Sequence, residues 1–91
     1  MLRDIKVKIY IYGAFRQYVQ DECLEFCVPI NASLDKLKQG FCLALKKNNP
    51  DFDNENLVQI SAFALDNKIL SGPIMLKENC EISVLPPVCG G

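Results

Sequence analysis

The feature that most constrains the fold is the run Ile5, Val7, Ile9 and Ile11 alternating with Lys6, Lys8, Tyr10 and Tyr12. Successive side chains of a strand point to opposite faces, so a period of two describes a strand with one face in a core and the other in water. Such a face needs a cover, and the chain offers one main helix to supply it. Leu34, Leu37, Phe41, Ala44 and Leu45 recur at helical spacing, with Lys36, Lys38, Gln39, Lys46 and Lys47 on the other side. That is an amphipathic helix of about four turns. Ser33 is a good N-cap, Asp35 complements the helix dipole, and Asn48-Asn49-Pro50 stops the helix. Gly40 inside it costs about 1 kcal/mol against alanine, which close packing on the sheet would explain.

The remaining segments supply the rest of a sheet. Gly13 ends the first strand, and Ala14 to Gln20, with Arg16 on it, predicts a short helical turn. Leu24, Phe26 and Val28 face inward on a second strand, with Cys23, Glu25 and Cys27 outward and Pro29 closing it. The two strands are close in sequence, so an antiparallel hairpin is the simplest pairing. After the helix, Asp51 to Asn56 reads as a polar loop and Leu57 to Leu65 as a strand. Asp66-Asn67 reads as a turn, Lys68-Ile69-Leu70 as a short return strand, and Pro73 to Lys77 as a single helical turn. Cys80 to Leu85 is the last strand. A hairpin followed by a helix crossing one face of a mixed sheet of four or five strands is the β-grasp arrangement, an α+β fold. Its topology sets the last strand beside the first and parallel to it, burying Ile82 and Val84 under the helix.

Composition narrows the functional classes. Ninety-one residues, 49% hydrophobic and 23% charged, suit one domain that buries about two thirds of its unfolded surface. The net charge of −1 leaves no basic footprint for nucleic acid or anionic lipid. The most apolar run, Ile60 to Leu65, is too short to span a bilayer. With Met1 to Asp4 opening straight into a strand, no export signal is expected and a cytoplasmic location is. The five cysteines, at 23, 27, 42, 80 and 89, are then expected to be reduced thiols and mostly small buried hydrophobes. There is no Cys-x-x-Cys and no histidine, so neither a metal site nor a Ser-His or Cys-His catalytic pair is expected.

The chemistry is expected in a tail, residues 86–91, carried by a domain of residues 1–85. Pro86-Pro87 holds the backbone stiff and extended and cannot continue a central strand. Gly90 and Gly91 have no Cβ and permit close approach of another backbone. Six such residues reach roughly 20 Å at about 3.3 Å each. The tail follows Glu81-Ile82-Ser83-Val84-Leu85 without a linker, so it is anchored to a sheet. With Gly91 as the terminal residue, its α-carboxylate is the group presented.

Leu85-Pro86-Pro87-Val88-Cys89-Gly90-Gly91 resembles the ending of the MoaD family, the ubiquitin-like sulfur-carrier small subunits of molybdopterin synthase. The similarity extends to the Lys-Val-Lys-Ile-Tyr opening strand, Arg16 and the single main helix ending near Asn49-Pro50. Lys77-Glu78-Asn79-Cys80-Glu81 departs from it, standing where the family often has Asp-Gly-Asp. The resemblance implies that a ubiquitin-activating-like enzyme adenylates the Gly91 carboxylate with ATP, and that a sulfur donor converts it to a thiocarboxylate. Gly91, with Gly90 behind it, then donates sulfur to a pterin precursor in the large catalytic subunit, in molybdenum cofactor biosynthesis. Leu85, Pro86, Pro87, Val88 and Cys89 are the implied partner-binding residues, and a heterotetramer is the implied assembly. The chain itself would bind no cofactor and act as subunit and co-substrate.

Three other readings share these residues: a carrier feeding thiamine or amino-acid synthesis, a ubiquitin-like modifier joining Gly91 to lysines, and an interaction domain with an incidental ending. Thiamine carriers are typically shorter and lack Pro-Pro. Cys89 reads as a stand-in for serine or alanine, or as a thiol forming a transient thioester or acyl disulfide at Gly91.

Overall fold

The structure, a computed structural model, describes residues 4–71 and 74–87. Strands β1 (Asp4–Tyr10) and β2 (Cys23–Pro29) are followed by helices α1 (Leu34–Asn48) and α2 (Glu55–Ile60). Strands β3 (Ala62–Leu65), β4 (Lys68–Ile69) and β5 (Cys80–Leu85) complete the order, and a 3-10 turn at Gly13–Gln17 links β1 to β2. The strands form one mixed sheet in the order β2-β1-β5-β3-β4. β1 pairs antiparallel with β2 from Asp4↔Pro29 to Tyr10↔Cys23, without a bulge. It pairs parallel with β5 from Val7↔Cys80 to Tyr10↔Ser83. With α1 across one face, this is the expected α+β, β-grasp architecture.

The alternation in β1 dictates which face is covered. Ile5, Val7 and Ile9 are buried with Ile82 and Val84 of β5, Leu24 and Val28 of β2, and Leu37, Phe41 and Leu45 of α1. Each such side chain contributes about 1.5–3 kcal/mol of transfer free energy. Phe41 is the hub: its ring meets Phe15 at 5.4 Å and Phe63 at 5.8 Å edge-on, and stacks toward Phe26 at 6.4 Å. Ser33 caps α1, its hydroxyl accepting from the Lys36 N–H at 3.3 Å. Gly40 is where the helix comes nearest β2. A Cβ there would lie 2.7 Å from Phe26 Cε2 and 3.2 Å from Val28 Cγ1, so the missing side chain sets the helix-to-sheet distance.

Asp66 and Asn67 both hold positive φ, 53° and 67°, with Leu65 paired to Lys68 across them. Two left-handed residues between paired strands make the tight turn whose twist matches a hairpin.

Three expectations are corrected. The segment read as a loop and then a strand over Leu57–Leu65 holds α2, and only Ala62–Leu65 is strand. The Asn54 side chain accepts from the Leu57 N–H at 3.2 Å, and Glu55 complements the first turn. Adjacent Leu57 and Val58 are both buried; in a strand they would face opposite sides. The Ser61 hydroxyl donates to the Leu57 carbonyl at 2.5 Å, tying off the helix end. Second, Pro73 lies outside the described residues, and residues 74–77 hold no helical turn. Leu76 instead bridges Ala32, donating to its carbonyl at 3.1 Å, while its own carbonyl accepts from Asn31. Third, the expectation that the cysteines are mostly buried fails among the described residues: Cys42 and Cys80 are half-buried, and Cys23 and Cys27, expected outward on β2, are half-buried and exposed. Cys23 and Cys27 sit on the outward parity of β2. At Cys42 and Cys80, burial is the leading cause that raises the thiol pKa.

Candidate functional site

β5 lies between β1 and β3 and is paired on both sides, to Tyr10 through Ser83 and to Phe63 through Val84. Residues 86 and 87 therefore leave from the interior of the sheet. Since Ile82 and Val84 face the core, Leu85 points to the uncovered face, where it is 41% exposed. Pro86 is half-buried and Pro87 exposed.

Pro86 is seated on Gly13. A Cβ at Gly13 would lie 2.7 Å from Pro86 Cγ and 3.4 Å from its Cδ, and Gly13 itself has a φ of +61°. The left-handed turn and the proline ring thus both require a residue without a side chain at position 13. Sequence reading treated Gly13 only as the end of a strand. Strand register held the missing signal: Tyr10 pairs with Ser83, and three residues further along each strand stand Gly13 and Pro86.

The uncovered face changes character along its length. Away from the tail it is charged: Lys6 Nζ lies 3.7 Å from Glu25 Oε2, and the Tyr10 hydroxyl donates to Glu81 Oε1 at 3.0 Å. That hydrogen bond, reinforced by desolvation and by the charge of Glu81, raises the pKa of Tyr10. Towards the tail the face turns apolar. Tyr12, Ile69 and Leu85 are 48%, 56% and 41% exposed and share a shallow hollow of about 360 Å³ with Ala64, Asn67 and Ser83. Beside it, Arg16 lines a second hollow with Tyr12 and Gly13, and its guanidinium donates to the Asp21 carbonyl at 3.3 Å. The tail root is therefore ringed by exposed apolar side chains with one guanidinium alongside, a surface suited to docking a protein rather than to binding a small substrate.

Of the candidate site residues, Leu85, Pro86 and Pro87 meet at this root, and Val88, Cys89, Gly90 and Gly91 lie outside the described residues. Among the described residues, no three His, Cys, Asp or Glu side chains gather as a metal site. No helix there is long and apolar enough to cross a membrane.

No protein-family model matches this chain, and no curated protein matches it. Among solved structures it is similar to a Pyrococcus furiosus protein described as "Putative molybdopterin converting factor, subunit 1". The TM-score is 0.65 at 24% sequence identity, covering 92% of this chain and 99% of that one. At that identity the likeness establishes a shared fold over nearly the whole of both chains.

Proposed function

We propose that this chain is the sulfur-carrier small subunit of a molybdopterin synthase, with Gly91 as the group that carries sulfur. The observation that carries the reading is the tail root. Leu85-Pro86-Pro87 leads straight out of the central strand, held by Pro86 on Gly13 and surrounded by an apolar surface. The fold shared with a protein bearing the molybdopterin converting factor name supports it.

The chemistry follows from the terminus. A carboxylate is a poor electrophile. A ubiquitin-activating-like enzyme transfers AMP from ATP to the Gly91 carboxylate, releasing pyrophosphate and leaving an acyl-adenylate. Attack by a sulfide-level sulfur nucleophile expels AMP and leaves a thiocarboxylate. The charged tail then enters the active site of the large subunit and transfers its sulfur to a pterin precursor, water supplying the oxygen that replaces it and returns Gly91 to the carboxylate. Glycine at 90 and 91 lets the acyl carbon reach a narrow site, and the seat at Gly13 limits where the tail can point, a contribution of orientation rather than reactivity. The domain supplies no base or metal to the reaction: it is the co-substrate, and the partners are catalysts.

The test is an intact-mass measurement on the chain co-expressed with its activating enzyme. The expected result is a mass gain matching exchange of one oxygen for sulfur, mapped to Gly91. Lysine-linked conjugates that survive reduction, with no thiocarboxylate, would instead identify a protein modifier. Full function after deletion of Gly90-Gly91 would leave only an interaction domain.

A further inference from the structure

A proline ring transmits pressure as no other side chain does. It closes onto its own backbone nitrogen, so pushing on Cγ or Cδ moves the peptide unit, whereas a long side chain pressed at its tip rotates aside. At the tail root those two atoms are the ones at risk. A Cβ at Gly13 would stand 2.7 Å from Pro86 Cγ and 3.4 Å from Cδ, but 4.0 Å from Cβ. Favourable carbon–carbon contact begins at about 3.5 Å, so the ring would have to yield by about 0.8 Å.

Gly13 has little room to retreat. The Ile11 N–H before it donates to the Glu22 carbonyl at 2.9 Å. Phe15 after it is fully buried, its ring 5.4 Å from that of Phe41. On β5, Leu85 is held by its pairing to Ala62. Pro86 is therefore the first residue of the tail that can give way, and crowding at position 13 is relieved by turning the tail. Pro87 carries that turn outward, because two adjacent prolines stay stiff and extended.

We infer that Gly13 is a positioning residue for both reactions of the tail. By leaving room for the Pro86 ring it sets the direction in which Gly91 is offered, and one direction serves the activating enzyme and the large subunit alike. The inference rests on the sulfur-carrier reading and separates two kinds of residue within it. Tyr12, Ile69 and Leu85 are exposed side chains that a partner can cover; Gly13 has no side chain to offer. A methyl group there is aimed at the ring, so the docking surface stays as it was and only the share of docked chains with a correctly entered tail falls. Docking residues then act on KM. Gly13 acts on kcat, because a docked chain with a misdirected tail is bound but idle. A misplacement of about 1 Å can cost a reaction up to about a hundredfold.

The experiment is steady-state loading of the full chain by its activating enzyme with ATP, and sulfur transfer to the large subunit, at a temperature where the amide spectrum shows every variant folded. Gly13→Ala is expected to lower kcat about tenfold or more in both reactions, with KM within about twofold. In the Pro86→Ala background, which lacks Cγ and Cδ, the same change at position 13 is expected to leave kcat where that background had it. Should Gly13→Ala not fold, Gly13→Asn replaces it, since asparagine tolerates a left-handed backbone and still sets a Cβ against the ring. An unchanged kcat, a rise in KM alone, or an equal fall in both backgrounds overturns the inference, the last by assigning the loss to backbone strain. If the unsubstituted chain is never loaded, the sulfur-carrier reading fails instead. The seat is then judged by the Pro87 Cα–Hα residual dipolar coupling in the labelled chain. A coupling shifted by Gly13→Ala upholds its hold on the tail, and an unshifted one removes it.

Discussion

The two faces of the sheet are built by the same strands and do different work. Ile9, Ile82 and Val84 are sealed under α1, where they hold the fold. One residue away in each case, Tyr10, Ser83 and Leu85 look outward over a surface that begins with the Lys6–Glu25 ion pair and the Tyr10–Glu81 hydrogen bond and ends with exposed apolar side chains. On the proposed reading, alternation along β1 and β5 lets stability and partner docking be altered independently. Substitutions on the covered face should unfold the chain, whereas those on the uncovered face should leave it folded and unable to engage a partner.

The largest expected effect is Phe41→Ala, which removes the ring shared by Phe15, Phe26 and Phe63. It should cost about 3–5 kcal/mol in denaturant unfolding. A loss under about 1 kcal/mol would mean the covered face is not the stability determinant. Gly13→Ala comes next, costing about 1–2 kcal/mol for a left-handed alanine plus the collision with Pro86. Pairing it with Pro86→Ala should recover part of the loss, a coupling of about 0.5 kcal/mol or more. Strict additivity would show that the ring does not rest on position 13.

Leu85→Asp sharpens the contrast from the other side. Stability should move by no more than about 0.5 kcal/mol, while loading by the activating enzyme and transfer to the large subunit both fall. Retained loading and transfer would remove Leu85 from the docking surface.

The smallest effect is alkaline. The hydrogen bond to Glu81 raises Tyr10 above 10.0, so the folded state holds the phenolic proton more tightly than the unfolded one. That contribution is complete below pH 10.0 and drains away as pH rises through the folded value. Lys46, raised above 10.5 by its hydrogen bond and ion pair with Glu55, acts in the same direction and window. Glu81→Ala should flatten the decline of stability in this range and bring the Tyr10 phenolate absorbance in at lower pH.

Much of the fold was legible because period and punctuation agreed. β1, the hairpin, α1 with its Ser33 cap, the Asp66-Asn67 turn and the parallel seating of β5 each follow from local pattern plus a topological rule. α2 was missed because Leu57, Val58 and Ile60 form a short apolar run that suits strand or helix equally. Asn54 and Glu55, the cap and first turn, held the discriminating signal. Strand parity placed Cys23 and Cys27 outward, as found, whereas the general expectation of buried thiols, drawn from residue type, failed at the half-buried Cys42 and Cys80. In the candidate site, the stiff exit at Pro86-Pro87 follows from the order of residues after the last strand, while the partner-binding role of Leu85, Pro86 and Pro87 is what the resemblance implies. Gly13 was not: its partner lies 73 residues away, and only the β1–β5 register joins them.

The central position of β5 has a mechanical consequence. A protein drawing on the tail pulls along a strand bonded to β1 on one side and β3 on the other, so the load falls on both ladders in shear. An edge strand under the same force would be held by one ladder only. Traction applied at Pro87 is thereby spread across two ladders, the resistance that the proposed entry of the tail into a partner's cleft would call on.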